Sequence, residues 1–219
     1  MSAPRIALVH ATPVAIEPIV SAFKQLWPQA RTTNLLDDSL SADLARDGEL
    51  TGHMKERFVA LARYVRGGGA DAILFTCSAF GPAIEAARAA VDVPVLKPNE
   101  AMLDEALAAG THIGLLATFA PSMPALRTEL EELARERKLK VSIKACAIPS
   151  ALAALHEGQP DEHDRLIADA AAAMEDCEAL ILGQFSMASA ASCIPHKRGR
   201  TVLTSPASAV MRLKHVLSH

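Results

Sequence analysis

The strand-like segments of this chain occur twice in one register, and no other feature constrains the fold as strongly. Shifted by 107 residues, Arg5-Ile6-Ala7-Leu8-Val9 lies over His112-Ile113-Gly114-Leu115-Leu116. The same shift lays Asp71-Ala72-Ile73-Leu74-Phe75 over Glu178-Ala179-Leu180-Ile181-Leu182, and Val95-Leu96 over Val202-Leu203. Apolar strands resemble one another by chance, so the shared shift carries the argument. It points to an internal duplication. Within each copy, short apolar runs alternate with longer stretches of helical periodicity, the pattern of α/β folds built on parallel sheets.

The pattern predicts strands at Ile6–Val9, Arg31–Leu36, Ala72–Phe75 and Val93–Leu96, then at His112–Leu116, Val141–Ala145, Ala179–Leu182 and Thr201–Leu203. Helices are expected over Val14–Trp27, Leu50–Arg66, the stretch from Pro82 to Ala90, Glu100–Ala109, Pro121–Arg137, Asp161–Asp176 and Ala207–Leu217. Asp37 to Asp47 reads as a polar stretch, and Gln184 to Cys193 as a turn and short helix. Gly67-Gly68-Gly69 precedes a strand, so it is a helix stop and not a phosphate cradle.

Composition narrows the function. Half of the 219 residues are hydrophobic, enough for a sizeable core and too many for wholesale disorder. The formal net charge of -3 and the absence of any basic cluster beyond His196-Lys197-Arg198-Gly199-Arg200 argue against a nucleic-acid partner. No apolar run approaches the length of a membrane span. The four cysteines, at 77, 146, 177 and 193, have neither CxxC spacing nor the density of a disulfide scaffold. With no leader pattern at Met1 to Arg5, the expectation is a cytoplasmic chain with free thiols. The eight histidines form no HExxH or HxH pattern, so no metal site is expected, and Asp161-Glu162-His163-Asp164 reads as the acidic opening of a helix.

In open α/β sheets ligands bind beyond the carboxyl ends of the strands, where helix N-termini present free N–H groups. Two similar halves facing each other would bring both sets of strand ends to one cleft, so the residues just after each strand are the ones to read. Cys77 follows a strand and precedes a helix, a setting that favours the reactive thiolate. The other three cysteines read as small buried hydrophobes. The shift of 107 sets Gln184 opposite Cys77; a glutamine cannot exchange protons as a thiol does, but its amide can hydrogen-bond a carboxylate or enolate oxygen. His10 either tunes Cys77, acts as an acid/base group, or is simply bonded to a loop carbonyl. Thr12, Ser78 and Thr118 can offer hydroxyls to an anion or cap helices. Glu17, Lys97, Asn99 and Glu100 are weaker candidates, and Phe80, Phe119 and Phe185 hint at an apolar wall.

The segment Ile73-Leu74-Phe75-Thr76-Cys77-Ser78, the strand end Gly114-Leu115-Leu116-Ala117-Thr118 and the paired Leu180-Ile181-Leu182-Gly183 resemble the aspartate/glutamate racemase superfamily. That group includes hydantoin racemases, maleate isomerases and arylmalonate decarboxylases. The resemblance implies two pseudo-symmetric, flavodoxin-like three-layer halves, residues 1–98 plus 206–219 and residues 99–205, with the last helix returning to the first half. It implies a cofactor-free site in the cleft between them, a small carboxylate substrate and a homodimer. One cysteine from each half would flank the substrate, while backbone amides and small hydroxyl residues hold its carboxylate. Cys77 matches the first-half cysteine, and Ser78 and Thr118 match carboxylate-binding positions. The second-half motif of hydantoin racemases, glycine-cysteine-x-glycine-methionine-alanine, reads here Gly183-Gln184-Phe185-Ser186-Met187-Ala188. The expected second cysteine is therefore Gln184. With one thiol, racemisation requires a substitute donor, for which His10, Ser186 or a water is available. Protonation from one face after decarboxylation needs only Cys77. A carboxylate-binding protein that has lost half the machinery is the non-enzymatic alternative.

Overall fold

The computed structural model describes residues 3–218. The chain divides into two units, Met1–Glu100 with Ala209–His219, and Ala101–Ser208.

The first unit carries a four-stranded sheet of β1 (Arg5–His10), β2 (Arg31–Leu36), β3 (Ala72–Phe75) and β4 (Val95–Leu96) in the order β2-β1-β3-β4, all parallel. The second carries β5 (His112–Ala117), β6 (Ser142–Ala147), β7 (Ala179–Leu182) and β8 (Thr201–Thr204) in the matching order β6-β5-β7-β8. The duplication is visible bond by bond. Ile6 pairs with Ala72 as Ile113 pairs with Ala179, and Ile73 pairs with Val95 as Leu180 pairs with Val202. Every one of these positions moves by the same 107 residues. The edge strands alone break the shift, because Arg5 pairs with Arg31 whereas His112 pairs with Ser142. Four extra residues precede β6.

Helices cover the sheets because successive strand residues point to opposite faces and both faces are apolar. In the second unit Ile113, Leu115, Ala179 and Ile181 pack under α5 (Glu100–Ala109) and α6 (Met123–Glu136). The alternate residues Leu116, Leu180 and Leu182 pack under α7 (Pro149–His156), α8 (Pro160–Ala172) and the 3-10 run Phe185–Cys193. In the first unit Ala7, Val9, Ile73 and Phe75 pack against α2 (Ser39–Asp47), α3 (Gly52–Gly67) and α4 (Gly81–Ala89). Ile6, Leu8 and Leu74, on the other face, are fully buried, as are Ile19 of α1 (Ile16–Leu26) and Val210 and Leu213 of α9 (Ser205–Leu217). Lys214 of α9 donates to the Leu26 carbonyl at the end of α1 (3.2 Å).

Helices α2 and α7 replace stretches with no expected helix, and they occupy equivalent places, each just after an edge strand. Both are short, of 9 and 8 residues, and each buries few side chains. The predicted helix from Val14 begins as a 3-10 turn, Pro13–Ala15, before α1 takes over at Ile16. The Gly67-Gly68-Gly69 run ends α3, with Gly69 at a φ of 85° that favours glycine. Ala171 is buried in the second unit's core with Ala168 and Ala170 packed against it, so these alanines serve packing within the unit.

Candidate active site

Cys77 follows β3 and precedes a three-residue 3-10 turn, Ser78–Phe80, before α4 starts. An aromatic cluster fixes that turn. Phe58 of α3 stacks on Phe75, with ring centroids 5.1 Å apart, and meets Phe80 at 4.9 Å. Residues two before and three after the thiol are thus held by one ring. Phe80, expected in an apolar wall, is instead fully buried as this anchor; Phe185 is buried as well, and of the three only Phe119 is exposed.

Cys77 is half-buried. Burial pushes its thiol up from the ordinary cysteine range, and the Ala79 N–H facing the sulfur only partly offsets this. The expected bias toward thiolate is therefore reversed: the neutral thiol is the resting form. The physical reason is that α4 starts four residues beyond Cys77, so one local amide, and not a full helix terminus, faces the sulfur.

His10 ends β1 and is fully buried. Its Nδ1 lies 2.9 Å from the Thr76 hydroxyl and its Nε2 lies 3.0 Å from Asn34 Oδ1. With the Asn34 oxygen toward the ring, Nε2 carries the proton and donates, and Nδ1 accepts from Thr76. Burial lowers the imidazole pKa, and the bond to Asn34 opposes that only in part. Both ring nitrogens are engaged by neutral partners. Through Nδ1 the ring bonds Thr76, the neighbour of Cys77.

Thr12 and Ser78 each lie three residues beyond the paired Val9 and Phe75. Thr12 is half-buried at the head of the 3-10 turn Pro13–Ala15, where its side chain makes no capping bond, and Ser78 is exposed. Around them, Ser41 of α2 donates to the Ala11 carbonyl (2.7 Å) and the Asp37 N–H donates to the His10 carbonyl (3.0 Å). Arg57 reaches from α3 to Asp37 (2.6 Å) and Asp43 (2.5 Å), tying α2 to the end of β2. Asn34, Thr76, Ser41 and Arg57 were not legible as site residues. The Leu40–Leu44 spacing, with Gly48 in the left-handed region beyond Asp47, was the available signal for α2.

In the second half, position 184 is bound internally. The Thr118 N–H donates to Gln184 Oε1 at 2.8 Å and the Thr118 hydroxyl to the same oxygen at 3.2 Å. Gln184 Nε2 donates to the Ser122 hydroxyl at 2.7 Å, and Ser122 donates in turn to the Phe119 carbonyl at 2.8 Å. Thr118 is buried and Gln184 half-buried. Gly183 allows the approach, since a Cβ there would lie 2.5 Å from Leu126 Cδ2 and 3.0 Å from the Leu116 carbonyl oxygen. The expectation of Thr118 and Gln184 as ligand contacts meets a structure in which they bind each other. Ser186 is half-buried on the following 3-10 run and is not part of this network. Of the weaker candidates, Lys97 pairs with Glu85 (3.1 Å) and Glu100 with Arg88 (2.7 Å).

Among the described residues, no cluster of three or more His, Cys, Asp or Glu side chains is arranged to hold a metal ion, and no helix is long and apolar enough to cross a membrane. Cys177 is buried, Cys146 half-buried and Cys193 exposed, which corrects its reading as a buried hydrophobe.

The family model described as Asp/Glu/Hydantoin racemase matches residues 10–213, nearly the whole chain. The chain belongs to the Asp/Glu/Hydantoin racemase family. Family membership supports an enzyme of racemase or isomerase type. An aspartate racemase homologue from Pyrococcus horikoshii OT3 is similar in structure, with a TM-score of 0.75 at 16% identity over 100% of both chains. Allantoin racemase from Klebsiella pneumoniae gives 0.71 at 18% identity over 99% of this chain and 88% of that one. Unliganded arylmalonate decarboxylase gives 0.62 at 17% over 96% and 92%. At these identities the likeness is one of fold. No curated protein sequence matches the chain.

Proposed function

We propose that this chain is a cofactor-independent racemase or isomerase that moves a proton at the carbon next to a carboxylate, with Cys77 as the acid/base group. The observation that carries this reading is the placing of Cys77. It stands at the carboxyl end of a central strand, held by the Phe58–Phe75–Phe80 cluster, with the Ala79 amide on its sulfur. The desolvated thiol is suited to deliver a proton to a planar enediolate: the S–H bond breaks, a C–H bond forms, and the thiolate left behind is stabilised by the Ala79 N–H. In the reverse sense that thiolate removes the α-proton. Thr12 and Ser78 are proposed to hold the carboxylate, and His10 to position Thr76 and the turn without exchanging protons itself.

A second reading is favoured by one observation, the carboxamide at the position equivalent to Cys77. With no second thiol, protonation from one face suits a decarboxylase or lyase, and arylmalonate decarboxylase shares the fold. Racemisation would instead draw its second proton from water.

The test is proton NMR in D2O with aspartate, glutamate, hydantoins, maleate and aryl-malonates, using Cys77→Ala as the control. Loss of the α-proton signal that depends on Cys77 is the expected result. Chiral analysis of the product then separates the readings, since one hand from a prochiral diacid marks the decarboxylase. Silence across the panel, together with a Cys77 of unshifted pKa, would leave a carboxylate-binding protein.

A further inference from the structure

The duplication allows the two halves to be compared atom group by atom group, and at one place they differ in kind. Three hydrogen bonds join Thr118, Ser122 and Gln184, and a fourth runs from the Ser122 hydroxyl to the Phe119 carbonyl. The shift of 107 takes these residues to Ala11, Ala15 and Cys77, two methyl groups and a thiol, which can build no such network. In the second half an sp² oxygen sits where an N–H and an O–H converge, and that pair of donors is suited to one oxygen of a carboxylate. The oxygen comes from the chain itself.

We propose that Gln184 is a built-in occupant of a latent carboxylate site after β5, and so a specificity determinant: its carboxamide excludes small carboxylates from the Thr118 donors. Three features make the occupancy firm. Both donors are already satisfied, at 2.8 and 3.2 Å. The amide nitrogen is tethered to Ser122, so displacing the oxygen also breaks the 2.7 Å bond. Finally, Thr118 is only 1% exposed, and its donors would be left buried and unpaired if Gln184 swung away with nothing in its place. An entering carboxylate must offset all of this. The proposal does not depend on Cys77 and holds for an enzyme or a binding protein alike.

The experiment follows the Thr118 amide by ¹⁵N-¹H NMR while acetate is added, against chloride at the same ionic strength. In the wild type the Thr118 resonance should not move saturably. In Gln184→Ala it should move saturably, with acetate binding tighter than in the wild type by roughly tenfold or more, the scale of one charge-assisted hydrogen bond. In Gln184→Glu a carboxylate is supplied in place and the resonance should again ignore acetate. A wild type that binds acetate at Thr118 as tightly as Gln184→Ala would overturn the exclusion. An unresponsive Thr118 in a folded Gln184→Ala would overturn the latent site. Should the alanine variant lose its dispersed spectrum, Gln184→Ser, whose hydroxyl is too short to span the same gap, gives the same reading. None of these outcomes depends on turnover, so a failed exchange assay and a failed titration are separate results.

Discussion

The Thr76 hydroxyl and His10 Nδ1 lie 2.9 Å apart, joining the last residue of β1 to the residue just before Cys77. Through its other nitrogen the same ring reaches Asn34 on β2. One buried imidazole therefore spans three neighbouring strands at their carboxyl ends. Its lowered pKa keeps it neutral, the state in which one nitrogen donates and the other accepts.

His10 should make stability depend on pH. The unfolded chain takes up a proton near the ordinary histidine pKa of about 6.5, while the buried ring resists it. The stabilisation is present above that pH and is lost as pH falls from there toward the lowered folded value. His10→Phe should be less stable at pH 7.5 by about 1–3 kcal/mol, because Asn34 and Thr76 lose their partner. It should also lose less between pH 7.5 and 5.5 than the wild type. Urea unfolding at the two pH values measures both, and an unchanged slope would count against the buried neutral ring.

Cys77 should be slow to alkylate at neutral pH. Burial raises its pKa, so the thiolate fraction is small and grows as pH rises past the range of a free cysteine peptide. Iodoacetamide labelling of Cys77 from pH 6 to 10, followed by mass spectrometry, should give a midpoint above the peptide's. A midpoint at or below it would refute the desolvated thiol.

Gly183→Ala should cost stability. The added Cβ meets the tip of Leu126, which can swing aside, and the Leu116 carbonyl, which cannot without moving β5. A loss of about 1–3 kcal/mol is expected from such overpacking. Because Gln184 follows directly, the Thr118 amide resonance should move in the same variant. Denaturant unfolding and NMR provide the checks.

Arg57→Met should weaken the dependence of stability on acid. Burial alone would raise the Asp37 pKa, but the Ser39 hydroxyl and the Arg57 guanidinium outweigh it and hold the carboxyl below its usual range. For a depressed carboxylate the stabilisation is present above the unfolded pKa and is lost as pH falls through the folded one. At pH 7 the methionine variant should melt lower by about 2–4 °C for a chain of this size. As pH falls below the ordinary aspartate range and through the lowered folded pKa, the wild type loses that pairing and the gap should narrow. Calorimetry across this pH range reads the difference.

The central strands are legible because a parallel strand buried on both faces is written as a continuous apolar run, and these strands recur at the common shift of 107. Helices α2 and α7 are not legible in this way. In α2 the apolar signal is Leu40 and Leu44 among charged neighbours, and α7 is a single apolar stretch with little periodicity. Cys77 was found from its place after a strand. What its neighbours do was not, because each decisive bond joins distant residues. His10 meets Thr76 and Thr118 meets Gln184, each across 66 positions. The sequence places a histidine or a glutamine at a strand end, whereas its partners are chosen by the sheet that brings the ends together.

Helix α5 follows β4 of the first sheet, yet from Ala101 onward it belongs to the second unit; α9 follows β8 of the second sheet and from Ala209 belongs to the first. The second unit is thus one continuous length of chain, whereas the first is completed only by Ala209–His219. During synthesis the first unit must wait for its last segment, Ala209–His219, made more than a hundred residues after Glu100. A cut between α5 and β5 would strand α5 on the first fragment and α9 on the second, so the two repeats, alike as they are in register, do not coincide with the two units.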